Sequence, residues 1–305
     1  MGSPDFAVPS LEALHGSGFG VVGVYAQPDQ PAGRGRALQP PPVKTRALEL
    51  GLPVYQPQTF RAEAVRDELR ALRPDVIVVA AYGRILPQAV LDIPPRGCLN
   101  VHPSLLPRWR GPSPVQAAIL AGDGVTGVSI MQMTAKMDAG PVLAQRTEPV
   151  REGDTGGSLS QRLARLGAVF LVETLQRWLD GRITPVPQDE AKATYCKLIT
   201  KEHGELDWTR PADALWRQVR AYQPWPGAYT WWKGKLLKVI EARAVAGATP
   251  APPGTVVRVD GGVAVAAGEG TALALRTVQM EGKKALEIGA FLAGARDFVG
   301  ARLGK

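Results

Sequence analysis

Residues Asp75–Ala81 read Asp-Val-Ile-Val-Val-Ala-Ala, an apolar run of strand length without the alternation of a half-solvated strand. A strand of this kind is buried on both faces, which requires a sheet with helices against each side. Val21–Ala26 is a second such run. Further strands are expected near Val54–Tyr55 and over Cys98–His102, Gly127–Met133 and Val142–Thr147. Helical patterns fall between them at Pro9–His15, Val43–Leu50, Arg61–Leu72, Pro87–Leu91 and Pro114–Ala121, and a long one at Thr155–Leu179 stops at Gly181. Strands alternating with helices imply an open, mostly parallel α/β sheet, whose sites lie beyond the carboxyl ends of its strands. Gly16-x-Gly18-x-Gly20 precedes a strand instead of following one, so it is a poor dinucleotide fingerprint.

A chain of 305 residues is too long for one ordinary core, and the pattern changes after residue 182. Ile183–Thr200 lacks apolar periodicity and carries Pro185 and Pro187, which reads as a linker. Beyond it come a helix at Ala212–Ala221, strands at Tyr229–Ala242, Gly254–Asp260, Val263–Ala267 and Thr271–Met280, and a short helix at Leu286–Leu292. Asp260-Gly261-Gly262 is a hairpin signal. The expected division is a first domain over 1–182, a linker over 183–202, and a small β-meander or barrel over 203–305.

Compartment and partners are bounded by charge and cysteines. Cys98 and Cys196 lie far apart without metal-ligand spacing, so they read as reduced thiols and no metal is expected. The start lacks a basic region followed by a long apolar core, and no apolar run reaches membrane-span length; the expectation is a cytoplasmic protein without membrane contact. The formal net charge is +8, and residues 201–305 hold 15 Lys and Arg against 10 Asp and Glu. A basic balance favours a polyanionic partner; its plain alternative is solubility. In the C-terminal part, Trp225, Tyr229, Trp231 and Trp232 interleave with Lys233, Lys235 and Lys238. That is the composition of a nucleic-acid platform, or of a folding cap whose aromatics are core.

Pro28–Lys44 reads as a long loop in which Gly33 and Gly35 articulate Arg34 and Arg36. Loops of this length are functional or disordered. Two guanidiniums on a proline-stiffened arm are suited to clamping phosphates.

The chemistry concentrates at Asn100-Val-His-Pro-Ser-Leu-Leu-Pro-Arg-Trp-Arg-Gly111. Asn100 and His102 are two apart, so an extended chain points both to one side, and Pro103 favours that extension. An amide donor beside an imidazole suits a carbonyl oxygen that becomes negative in the transition state. In isolation Asn-x-His also fits a turn and a satisfied buried histidine. Asp138, in Lys-Met-Asp-Ala-Gly between two expected strands, is placed to orient the imidazole and to stabilise its charged form, although such a sequence is by itself an ordinary turn.

Asn100-x-His102, Ser104-Leu105-Leu106-Pro107 with Gly111, and Asp138 with Gly140 together resemble the folate-dependent formyltransferases. Gly2-Ser3-Pro4-Asp5-Phe6-Ala7, Pro31-Ala32-Gly33-Arg34-Gly35, Gly127–Met133 and Pro224-Trp225-Pro226-Gly227 are similar, more narrowly, to members that act on methionyl-tRNA. The resemblance implies a Rossmann-like, mostly parallel α/β domain followed by a small OB-like β-barrel. It implies 10-formyltetrahydrofolate as co-substrate, bound along Ser104, Leu105, Leu106 and Pro107. The acceptor it implies is the α-amino group of initiator methionyl-tRNA, held by Arg34, Arg36, Lys233 and Lys235. Asn100, His102 and Asp138 become the catalytic set of a monomeric translation-initiation enzyme. Alternatives are a formyltransferase acting on an amino sugar nucleotide or on glycinamide ribonucleotide, or a non-catalytic RNA-binding module. The chain departs from the family at its start. Met1 stands directly before Gly2 where members carry a short apolar strand. The expectation is a start set too far downstream or a shortened chain, with unpaired backbone on the neighbouring strands.

Overall fold

The computed structural model describes residues 1–32, 37–245 and 249–304. The chain divides into two compact units: residues 1–114, 125–149 and 160–197, and residues 115–124, 150–159 and 198–305.

In the first unit the strands are β1 (Val24–Tyr25), β2 (Gln30–Ala32), β3 (Ala37–Gln39), β4 (Val54–Tyr55), β5 (Ile77–Val79), β6 (Cys98–His102), β7 (Val125–Gln132) and β8 (Val142–Pro149). β1 and β4 pair in parallel, as do β5 and β6. β7 then runs antiparallel to β6, and β8 antiparallel to β7, in the order β5-β6-β7-β8. The antiparallel pair follows from the short connection between β7 and β8, since a parallel return needs a crossover of a dozen or more residues. Tyr25, Phe60, Ile77, Val79, Tyr82 and Cys98 form one core cluster. The helix Gly156–Leu179 lies so close to β6 that a Cβ at Gly167 would meet Val101 Cγ1 at 2.9 Å. Pro28–Lys44, expected as plain loop, instead contains the antiparallel pair β2–β3 and the start of a helix at Pro42–Glu49.

Met1 and Gly2 sit between β1 and β5. The Met1 amine donates to the Val78 carbonyl at 2.7 Å, Ala80 N–H donates to the Met1 carbonyl, and Gly2 N–H donates to the Tyr25 carbonyl. Gly2 and Ala80 bridge in parallel. Met1 and Gly2 thus pair with the chain on both sides. Below them is a largely apolar cavity of about 220 Å³, bordered by Val22, Val24, Val76, Val78 and Leu175. Burial pushes the Met1 amine down to about 5, so it is neutral at pH 7.

The stretch 183–197 is packed within the first unit. Val186 bridges Val142, and Tyr195 bridges Arg110. The second unit carries β9 (Ala228–Trp232), β10 (Lys235–Val245), β11 (Val256–Val259), β12 (Gly262–Ala266), β13 (Ala272–Met280) and β14 (Leu286–Glu287). They form an antiparallel sheet in the order β11-β12-β13-β10-β9, with β14 on β13; among the described residues no ladder closes it into a barrel. Leu215, Leu237, Leu273, Val278 and Phe298 centre its core. Each such side chain contributes about 1.5–3 kcal/mol through removal from water. Trp232, expected on a binding platform, packs edge-on against Phe291 and Phe298. Among the described residues no helix is long and apolar enough to cross a membrane.

Candidate active site

β6 alternates as its sequence requires. Val101 faces the long helix, while Asn100 and His102 share the opposite side. The turn after β7 brings Asp138 to them. Asp138 has φ 49°, a left-handed conformation that an aspartate tolerates better than most residues. Gly140 follows because a Cβ there would overlap the Gln132 carbonyl oxygen. The three residues predicted from sequence meet. Asn100 Nδ2 donates to Asp138 Oδ1 at 3.4 Å, and His102 Nδ1 lies 3.8 Å from Asp138 Oδ2. The Gly111 N–H donates to Asp138 Oδ2 at 2.8 Å.

His102 Nε2 lies 3.1 Å from the Trp109 carbonyl oxygen. A carbonyl can only accept, so Nε2 carries the hydrogen and the neutral ring keeps its lone pair on Nδ1. The imidazole is buried, and burial lowers its pKa below the ordinary histidine value. The Asp138 carboxylate and the Trp109 carbonyl push the other way without overcoming that cost. The carboxylate therefore does not leave His102 charged at rest, as the sequence alone suggested. Both ring nitrogens face acceptors, so a proton arriving at Nδ1 produces an imidazolium with partners on each side.

Ser104–Pro107 forms a fixed wall beside this group. The Ser104 hydroxyl is fully buried and donates to the Arg108 carbonyl at 2.6 Å, which closes the loop on itself. Ser129 Oγ receives the Leu106 N–H and donates to the Ser104 carbonyl. Gln145 Nε2 donates to the Leu106 carbonyl, and Thr194 N–H to that of Pro107. The Leu106 side chain is buried. Lys233 and Lys235 border the β9–β10 turn; Lys233 is exposed, pairs with Asp297 and lies over the Trp232 ring. Arg34 and Arg36 lie outside the described residues. Among the described residues no cluster of three His, Cys, Asp or Glu is placed to hold a metal ion.

Sequence reasoning missed Arg110, Gln188, Glu190, Thr194 and Tyr195. Arg110 is fully buried, and its guanidinium donates to Gln188 Oε1, Glu190 Oε1 and the Tyr195 hydroxyl. These partners lie 78 to 85 residues away, in a stretch with linker composition. An arginine between Trp109 and Gly111 was the only local signal.

The profile of the formyl transferase family matches residues 1–175, and that of its C-terminal domain matches residues 198–296. The methionyl-tRNA formyltransferase of Roseiflexus sp. (strain RS-1) is 54% identical over all of this chain and 94% of its own length. That of Bacillus licheniformis is 48% identical over all of this chain and 96% of its own. The N-formyltransferase of Helicobacter canadensis, solved with folinic acid and dTDP-3-aminofucose, shares the fold at a TM-score of 0.67 and 16% identity, over 92% of this chain and 97% of its own. HypX of Aquifex aeolicus, solved with tetrahydrofolic acid, superposes at a TM-score of 0.59 and 23% identity over 83% of this chain and 44% of its own. With an amide, an imidazole and a carboxylate converging at a strand end, and full-length identity near one half, the chain belongs to the formyl transferase family and, within it, to the methionyl-tRNA formyltransferases.

Proposed function

We propose that this enzyme transfers the formyl group of 10-formyltetrahydrofolate to the α-amino group of methionyl-initiator tRNA, using Asn100, His102 and Asp138. The observation that carries the reading is the convergence of Asn100 Nδ2 and His102 Nδ1 on one carboxylate at the end of β6. An α-amine with a reference pKa of about 7.7–8.0 is partly neutral at cellular pH and is a competent nucleophile. As its nitrogen bonds to the formyl carbon, the carbonyl oxygen becomes negative, and Asn100 Nδ2 donates to it. The amine proton passes to His102 Nδ1, where the charge is stabilised by Asp138 and by the Nε2–H bond to Trp109. The bond from the formyl carbon to N10 of the folate then breaks, and the proton returns to that nitrogen. Formyl and proton are both accounted for, and tetrahydrofolate leaves.

Ser104–Pro107 would flank the folate, presenting a wall whose backbone is already bonded and so does not have to order on binding. Arg34, Arg36, Lys233 and Lys235 would meet tRNA phosphates and position the acceptor. An assay offering charged initiator tRNA beside an amino sugar nucleotide tests the reading. Transfer to the tRNA alone is expected; preference for the sugar nucleotide, or transfer to neither, overturns it.

A further inference from the structure

Gln188 lies behind the Asp138 turn. Its Nε2 donates to the Asp138 carbonyl at 2.8 Å and to the Gly140 carbonyl at 2.7 Å. The first of these acceptors belongs to the left-handed residue whose carboxylate faces His102, and the second lies two residues further along the same turn. An amide can be inverted about its last bond, and an inverted Gln188 would present its oxygen to both carbonyls. Arg110 prevents this, because its Nε donates to Gln188 Oε1 at 2.9 Å and so fixes which end of the amide faces the turn.

The same guanidinium holds Glu190 Oε1 at 2.8 Å, and Glu190 Oε2 holds Lys136 of the Asp138 turn at 2.9 Å. The backbone of Arg110 is anchored as well. Its N–H donates to the Thr194 carbonyl, its carbonyl accepts from Cys196 N–H, and the preceding Trp109 N–H donates to Thr194 Oγ1. Arg110 is thus fixed to the loop that carries the acceptor for His102 Nε2, while its side chain governs the groups that hold Asp138.

We infer that Gln188, oriented by the buried guanidinium of Arg110, is a positioning residue that sets the distance from Asp138 to His102 and Asn100. The inference rests on the catalytic reading above and deepens it: the stretch 186–196 is part of the machinery that aligns the site. Alignment matters because a displacement of about 1 Å in a reacting group can cost on the order of a hundredfold in rate.

Gln188→Glu separates positioning from packing. A glutamate keeps the acceptor for Arg110 and adds charge, so the stretch 186–196 stays attached. It cannot donate to the Asp138 and Gly140 carbonyls, and two acceptors then face a carboxylate. Turnover, KM for initiator methionyl-tRNA, KM for 10-formyltetrahydrofolate and Tm are measured on the full-length enzyme for wild type, Gln188→Glu, Gln188→Ala and Asp138→Asn. The expected result for Gln188→Glu is a fall in kcat of at least about tenfold, with both KM values within about threefold of wild type and an unchanged Tm. Wild-type turnover in Gln188→Glu, or a loss of turnover that only tracks a falling Tm in both Gln188 variants, overturns it. If Asp138→Asn is inactive while Gln188→Glu is fully active, only the positioning role fails. If Asp138→Asn itself turns over normally, the catalytic reading fails with it.

Discussion

The backbone N–H of Gly111 donates to Asp138 Oδ2 at 2.8 Å, joining the loop that follows His102 to the turn that follows β7. Gly111 has φ 117°, and a Cβ there would overlap the Cys196 carbonyl oxygen. Any other residue must shift the loop, and the bond to Asp138 moves with it. Gly111→Ala is expected to lower kcat by at least about tenfold. The coupling is read from a double variant. In an Asp138→Ala background the Gly111 substitution should cost little further turnover, because neighbours acting through one group are not additive. Full additivity would show that Gly111 acts elsewhere.

Asn100→Ala removes the amide proposed to meet the oxyanion and leaves the strand intact, since Asn100 is only half-buried and its side chain donates to the Asp138 carboxylate. A lost oxyanion donor costs about 2.7–4 kcal/mol of barrier, or roughly 10²–10³ in kcat. His102→Ala should lose at least about a hundredfold by removing the base. Circular dichroism should report folded protein in both cases. Near-normal turnover in either variant would end the role given to that residue.

His102 makes a signed prediction about pH. Burial holds its folded pKa below the ordinary value of about 6.5, so the unfolded chain binds the proton first as pH falls. The stability associated with the neutral ring is complete above about pH 6.5 and is lost as pH drops from there toward the folded pKa. Replacement by asparagine, which does not titrate, should flatten the pH dependence of Tm in that window. For catalysis, a base that must be neutral gives a kcat profile that rises with pH and levels off below the ordinary histidine value. Asp138→Asn removes the main influence raising the pKa, so the acid limb of its residual activity should move to lower pH. A limb that stays in place, or moves up, would separate His102 from that limb.

The site was legible where its geometry is local. Asn100 and His102 share a face because a strand alternates, and that follows from the apolar pattern of Cys98–His102 with Pro103 after it. The buried strands over Ile77–Val79 and Val128–Met131 were legible as short, mainly apolar runs. Asp138 stood out as a carboxylate in a turn between two expected strands, but only the family motif set it apart from an ordinary turn, since nothing local measures a gap of 38 residues. The charge state of His102 was misread because a neighbouring carboxylate is visible in a sequence while the burial of a ring is not. Arg110 and Gln188 were invisible on both counts. Their bond is tertiary, and Pro185 and Pro187 give the segment the look of a linker although Val186, Thr194 and Tyr195 pair with the first unit. The antiparallel turn of β7 and β8 was hidden because an apolar run reports burial and not direction.

The basic arm predicts a change in tRNA use without a change in folate use. Arg34→Ala and Arg36→Ala should each weaken tRNA use. Each phosphate that is no longer neutralised should reduce the slope of log affinity against log salt by about 1. KM for 10-formyltetrahydrofolate should not move. An unaltered salt slope in both variants would remove the arm from the tRNA interface.

The cavity beside Met1 predicts that added residues stabilise the fold. Met1 and Gly2 already pair in register with β1 and β5, and the space below them is lined by Val22, Val24, Val76 and Val78. Val76 lies outside the paired stretch of β5. Residues placed ahead of Met1 would continue along that line as a strand flanked on both sides, turning the buried amine into an ordinary amide donor to Val78. Four added apolar β-branched residues should fill part of the cavity and pair the facing edges. Burial of even two such side chains is worth about 3–6 kcal/mol before the entropy of ordering the segment is subtracted. The net gain should therefore appear as a rise of several degrees in Tm, at roughly 2–4 °C per kcal/mol for a domain of this size. An extension of the same length with aspartate at alternate positions would place a charge against those valines and should give no rise. Equal Tm values for the two extensions would show that the cavity does not accept a strand.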